Sequence, residues 1–134
     1  MASLSLPDFL DGIARQGWQW GERDCLLWLG LWSRELTGID GGAEWRGRYK
    51  TARGCMRVLK ASGGMEACIK RGAELAGMAR VETPRTGDIG LVPVMTTRGP
   101  GEAGGIFTGK RWALLTANGV MTTPAEPTMI WGVP

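Results

Sequence analysis

Apolar positions recur at helical spacing through the first part of the chain and at strand spacing in the second, so the pattern predicts helices followed by a sheet. Phe9, Leu10 and Ile13 share one face of a helix over residues 5–16, with Ser5 as its N-cap and Asp8 in the first turn. A turn through residues 17–23 leads to a second helix over residues 24–36, where Asp24 is a natural N-cap and Gly38 a natural stop. Leu26, Leu27, Trp28, Leu29, Leu31 and Trp32 leave that helix almost no polar face, which predicts the buried centre of the molecule. Residues 38–50 read as a loop containing glycine and tryptophan. From Thr51, a third helix places Ala52, Cys55, Met56 and Leu59 on one side and Arg53, Arg57 and Lys60 on the other. After Gly63-Gly64, a fourth puts Met65, Cys68, Ile69, Leu75 and Ala76 on one stripe.

Past Val81 the texture changes. Thr83-Pro84-Arg85-Thr86-Gly87-Asp88 is turn chemistry, with Asp88 placed to close it, and residues 89–95 then read as a strand. Further short strands are expected over residues 104–108, 111–117, 120–123 and 128–133, separated by Gly-Lys, Asn-Gly and proline-containing turns in the manner of an antiparallel meander. Helices first and strands second indicate an α+β domain spanning residues 1–134, its sheet packed on the central helix. A chain of 134 residues can bury about two-thirds of its unfolded surface, enough for a core without staples. Residues 99–104 match the letters G-x-G-x-x-G, but a strand rather than a helix follows, so they read as a loop between strands and not as a dinucleotide site.

Sixteen Lys and Arg against thirteen Asp and Glu give a net charge of +3, too small to indicate a nucleic-acid binder. The charge is unevenly spread. Arg46, Arg48, Lys50, Arg53, Arg57 and Lys60 follow one another with no acid between them, a field suited to an acidic partner or to phosphates. Arg53, Arg57 and Lys60 are the candidate interface residues. Tyr49 is the one aromatic interleaved with these charges, so nucleic acid ranks last among the partners. Three cysteines, an odd number, give neither a disulfide framework nor a metal pattern, and Cys55 and Cys68 are assigned to packing. No cofactor or metal is expected. Residues 1–12 lack a basic stretch followed by an apolar block, and no run approaches the roughly 18 apolar residues of a membrane span, so neither a leader nor a span is expected.

The candidate chemistry centres on Trp20-Gly21-Glu22-Arg23-Asp24-Cys25. A thiol attacks as its thiolate, and the start of a helix beside Arg23 favours that form of Cys25. Thiol hydrolysis also needs a proton acceptor and donor, worth roughly 10²–10⁴-fold in rate and most often a histidine. This chain contains no histidine.

Three pieces in fixed order, WGERDC, PRTGDIGLV and AGGIFTGKRWALLTANGVMTTP, resemble the NlpC-type, papain-like cysteine peptidases, and more closely their phage-encoded relatives that accompany tail-tip genes. The resemblance implies a papain-like fold, with Cys25 as the nucleophile position at the start of a buried helix. It also implies a strand of the form His-Val-Gly-Ile-Tyr carrying the base. Laying Gly105-Ile106-Phe107 on that strand puts Ala103 where the histidine belongs, with an orienting polar residue near Thr116 or Asn118. Trp20, Gly21, Arg46, Gly47 and Tyr49 look like the Trp-Gly and Arg-Gly-x-Tyr positions of the phage subgroup, expected together with Asp24 to shape the cleft beside Cys25. The function so implied is a catalytically impaired domain serving in a phage tail tip or baseplate. It would contact the tail hub or other tail-tip proteins, and reside in the virion after synthesis in the host cytoplasm. The alternative is an active cell-wall hydrolase using Cys25, cutting a peptidoglycan peptide or amide bond with a base from another acid or a partner chain.

Overall fold

The computed structural model describes residues 4–134, so the part of the leader reading that falls on Met1–Ser3 lies outside the described residues. Four helices, α1 (Leu6–Gln16), α2 (Leu27–Thr37), α3 (Ala52–Ala61) and α4 (Met65–Leu75), precede six strands. These are β1 (Arg80–Val81), β2 (Ile89–Thr96), β3 (Gly99–Phe107), β4 (Trp112–Thr116), β5 (Gly119–Thr123) and β6 (Met129–Trp131). The fold is α+β, with the helices packed on one antiparallel sheet of order β1-β6-β2-β3-β4-β5. No helix among the described residues is long and apolar enough to cross a membrane.

The helices form for the reasons their sequences suggest. Ser5 caps α1 by accepting from the Asp8 N–H at 3.3 Å, and Leu6, Phe9 and Ile13 bury its apolar stripe. Thr51 does the same for α3 through the Gly54 N–H at 3.0 Å. Gly38, in the left-handed conformation, ends α2. Leu27 and Trp28 are fully buried, and two indoles tie α2 to the second half of the chain: Trp28 Nε1 donates to the Gly104 carbonyl of β3 at 3.0 Å and Trp32 Nε1 to that of Gly87, in the turn before β2, at 2.8 Å. The sheet faces this core with Leu91, Ile106, Ala113, Leu115 and Trp131, while Val92, Ala103, Trp112, Leu114 and Ile130 form a second apolar cluster.

Four expectations need correction. First, only β2 to β5 form a meander. β6 returns to the other side of β2, and the two-residue β1, not expected, pairs outside it. Second, residues 99–104 are not a loop but most of β3, paired residue for residue with β2 from Thr96↔Gly99 to Val92↔Ala103 and Leu91↔Gly104. The turn is Thr97-Arg98, closed by Thr96 Oγ1, which donates to the Gly99 carbonyl at 2.7 Å and accepts from the Arg98 N–H at 3.1 Å. The glycines and Pro100 mimic turn punctuation, yet this stretch of β3 has no β4 partner, so the missing proline N–H breaks no ladder. Third, α2 begins at Leu27 rather than at residue 24. Fourth, Met56 and Leu75 are 62% and 59% exposed. The buried stripes run through Cys55 on α3 and through Cys68, Ile69, Gly72 and Ala73 on α4; at about 100° per residue Met56 falls roughly a quarter-turn from Cys55, whereas Leu75, nearly in line with Cys68, is the last residue of α4 and is exposed at the helix end.

Candidate functional site around Asp24 and Cys25

Asp24 is a buried hub. Its side chain is fully inaccessible, and four donors converge on it. Oδ1 accepts from the N–H groups of Leu26 at 3.1 Å and Leu27 at 2.9 Å, so Asp24 caps α2 from outside the helix. Oδ2 accepts from the Gly21 N–H at 3.0 Å and the Tyr49 hydroxyl at 2.6 Å. Burial first, then the hydrogen bond to Asp24 and the charge of that carboxylate, push the Tyr49 hydroxyl above its ordinary range, which keeps it a donor.

The two short motifs interlock through their backbones as well. Gly47 N–H donates to the Gly21 carbonyl at 2.8 Å. Gly21 has φ +84°, and a Cβ there would collide with the Tyr49 carbonyl, so no other residue fits without displacing the chain. Arg46 completes the clasp. Its guanidinium holds Asp40 with two bonds, Nε to Oδ2 at 2.7 Å and Nη2 to Oδ1 at 3.0 Å, and donates to the carbonyls of Glu22 and Leu27. Burial pushes the Asp40 carboxyl up, but the bonds from Arg46 and the Gly42 N–H outweigh it and hold it below the usual carboxylate range. Gly21, Asp24, Arg46, Gly47 and Tyr49 are therefore brought together. Their geometry locks residues 21–27 against residues 40–49.

Trp20 stands beside this clasp, edge-on to Trp18 at 4.8 Å and to Tyr49 at 6.5 Å between ring centroids. With Gln19, Glu22, Gly47, Tyr49 and Lys50 it lines an open groove of about 320 Å³. Cys25 does not line that groove. Asp40 and Trp18 were missed in the sequence. The acid-glycine-glycine run at Asp40 offered a turn signal, but nothing in it named Arg46 as the partner.

Cys25 precedes α2 and lies against the unpaired edge of β3, where the Gly104 N–H donates to its carbonyl at 3.0 Å. Its side chain packs on the cluster containing Val92, Ala103 and Leu114. Gly104 is required by this approach, because a Cβ would meet the Leu29 side chain and lie 2.8 Å from the Cys25 carbonyl oxygen. The helix terminus does not favour the thiolate here. Burial, then the charge of Asp24, then Cys55 push the Cys25 thiol up to about 12. The expected electrostatic activation is thus reversed: the acidic neighbour and the surrounding burial outweigh a backbone hydrogen bond that favours the thiolate, and the guanidinium of Arg23 is turned to the Gly17 carbonyl and Gln19.

Cys55 and Cys68 are buried, as their helical spacing implied, and burial raises both thiols, Cys55 to about 11. Thr116 and Asn118 are occupied within the β4–β5 turn, where Thr116 Oγ1 donates to the Gly119 carbonyl at 2.9 Å and accepts from the Asn118 N–H at 3.1 Å. Asp88 closes its turn by accepting from the Arg85 N–H at 2.8 Å, and its other oxygen pins the Val133 N–H at 2.7 Å. Among the described residues no three Cys, Asp or Glu side chains come together in a group that could hold a metal ion. Arg53, Arg57 and Lys60 are exposed along α3.

No curated protein and no solved structure matches this chain. A family model does match it, over residues 3–133, and on that extent the chain belongs to the family described as a domain of unknown function, DUF6950.

Proposed function

We propose that this chain is an NlpC-like, papain-like domain that has lost proton-transfer chemistry and serves as an assembly component of a bacteriophage tail tip or baseplate. One observation carries the reading. Cys25 lies against Ala103-Gly104 of β3, the position at which the resemblance puts the base, and the side chain there is a methyl group. A methyl group exchanges no protons, and a thiol held near 12 is almost wholly protonated at neutral pH. The interlocking of Trp20-Gly21 with Arg46-Gly47-Arg48-Tyr49 supports the same resemblance, because the two motifs assigned to the phage subgroup meet in space. The phage-tail assignment rests on the motifs alone. Recognition is left as the task, with Arg53, Arg57 and Lys60 as the exposed contact residues and virion proteins as the partners.

The test pairs chemistry with association. Purified peptidoglycan should be left intact by both the wild-type protein and Cys25→Ala, and the wild-type protein should associate with a tail hub at micromolar concentration. Ala103→His should raise the rate at which iodoacetamide labels Cys25, because an imidazole beside the sulfur favours the thiolate. Hydrolysis by the wild-type protein that disappears in Cys25→Ala would overturn the reading.

A further inference from the structure

We propose that the outer stripe of α3, formed by Arg53, Met56, Arg57 and Lys60, docks an acidic amphipathic segment of a partner protein. The inference rests on the assembly reading above and narrows it to one surface and one partner chemistry. Positions 53, 56, 57 and 60 follow the i, i+3, i+4, i+7 spacing of a single helical face, and all four side chains are exposed. The opposite face carries Cys55, the one fully buried residue of α3. Arg48 and Lys50, also exposed, extend the positive field toward the start of the helix, whereas Arg46 is turned inward onto Asp40 and does not contribute.

The N-terminal half of this stripe opposes the stability of its own helix, although Lys60, in the last turn, complements the dipole. α3 has no acidic residue in its first turn, and Arg53 sits there against the positive end of the helix dipole. Arg53 and Arg57, and Arg57 and Lys60, are like-charged neighbours along one face. None of the ion pairs among the described residues involves Arg48, Lys50, Arg53, Arg57 or Lys60. A helix whose sole task was to cover Cys55 would be more stable with a carboxylate in place of Arg53. A negatively charged partner removes that conflict.

Met56 decides the kind of partner. It is 62% exposed in the middle of the cations, and a flexible thioether ringed by arginine is the side-chain mixture enriched at protein interfaces. A nucleic-acid backbone would satisfy the cations but offers Met56 nothing to fill. The one aromatic within the basic run, Tyr49, is buried and cannot stack on a base. The complementary surface is therefore acidic with an apolar position at its centre. The stripe is about 10 Å long at 1.5 Å per residue, the reach of two turns of a partner helix.

The probe is a fluorescein-labelled peptide of about 18 residues in which glutamates surround leucines at helical spacing, followed by anisotropy against the full chain. Binding should weaken at least about tenfold in Arg53→Glu/Arg57→Glu, a loss of about 1.4 kcal/mol. Met56→Gln should weaken it several-fold, and that difference should vanish when the peptide's leucines are replaced by glutamine. A DNA duplex of equal charge should bind more weakly than the peptide. Absence of peptide binding, indifference to Met56→Gln, or tighter binding of the duplex would each overturn the proposal. No thiol chemistry enters these measurements, so failure here leaves the Cys25 reading standing, and murein hydrolysis by the wild-type protein would leave this surface standing.

Discussion

At Asp24 one side chain replaces what several backbone partners would otherwise supply. Truncation in Asp24→Ala strands the N–H groups of Gly21, Leu26 and Leu27 and the Tyr49 hydroxyl. At about 1–3 kcal/mol for each buried group left unpaired, partly offset by relaxation, the expected loss is about 3 kcal/mol or more in urea unfolding. Tyr49→Phe removes one donor and leaves three, so its cost should stay near 1 kcal/mol. Equal losses in the two variants would show that Asp24 is not the hub. The neighbouring sulfur gives a chemical check. With its thiol near 12 instead of the ordinary 9, Cys25 should react with iodoacetamide at pH 8 some tens of times more slowly than a free thiol, because its smaller thiolate fraction outweighs the greater nucleophilicity of a more basic thiolate. Asp24 and Cys25 were both legible in the sequence as cap and candidate nucleophile. Their chemistry was not, because Val92, Ala103 and Leu114, which set the sulfur's surroundings, arrive from strands far along the chain.

Helical spacing located all four helices, because capping residues and periodicity act within a few positions of one another. Ser5, Thr51 and Gly38 mark real ends for that reason. The error at the start of α2 has a physical origin: Asp24 caps through a turn, so its signal precedes the first helical residue. Strand assignment failed at residues 99–104 because pairing of β3 with β2 is a tertiary fact that glycine and proline content obscures. The same separation of local and tertiary terms predicts the behaviour of α3. Arg53→Glu exchanges an unfavourable for a favourable dipole interaction and replaces like-charge repulsion of Arg57 with attraction. It should stabilise the protein by about 0.5–1 kcal/mol in urea unfolding. That gain would appear in the variant expected to weaken the basic stripe. A destabilised Arg53→Glu would mean that the arginine is held by contacts of its own.

For the whole molecule, one half-buried acid and the shielded thiols bound the pH range of stability from both sides. On the acid side, Asp40 titrates below its ordinary range when paired with Arg46. Its contribution is present above the unfolded carboxylate range, near pH 4, and is lost as the pH falls through the lower folded value. Arg46→Ala should therefore lower stability at pH 7 and flatten the acid limb of the profile. On the alkaline side, the unfolded thiols ionise near 9, whereas Cys25 and Cys55 hold their protons to about 12 and 11. Between those values the folded state binds more protons than the unfolded state, so stability must fall as the pH rises. Tyr49 shifts in the same direction and adds to the fall at higher pH. Unfolding in urea at intervals from pH 8 to 11 should show stability constant up to about pH 9 and a decline beyond it. Cys25→Ser, which removes a titrating sulfur, should make that decline shallower whatever offset it introduces at pH 7. An unchanged slope in Cys25→Ser would mean that the Cys25 thiol ionises as readily in the folded protein as in the open chain. The raised thiol would then be absent, and the silent-domain reading would rest on the methyl group of Ala103 alone.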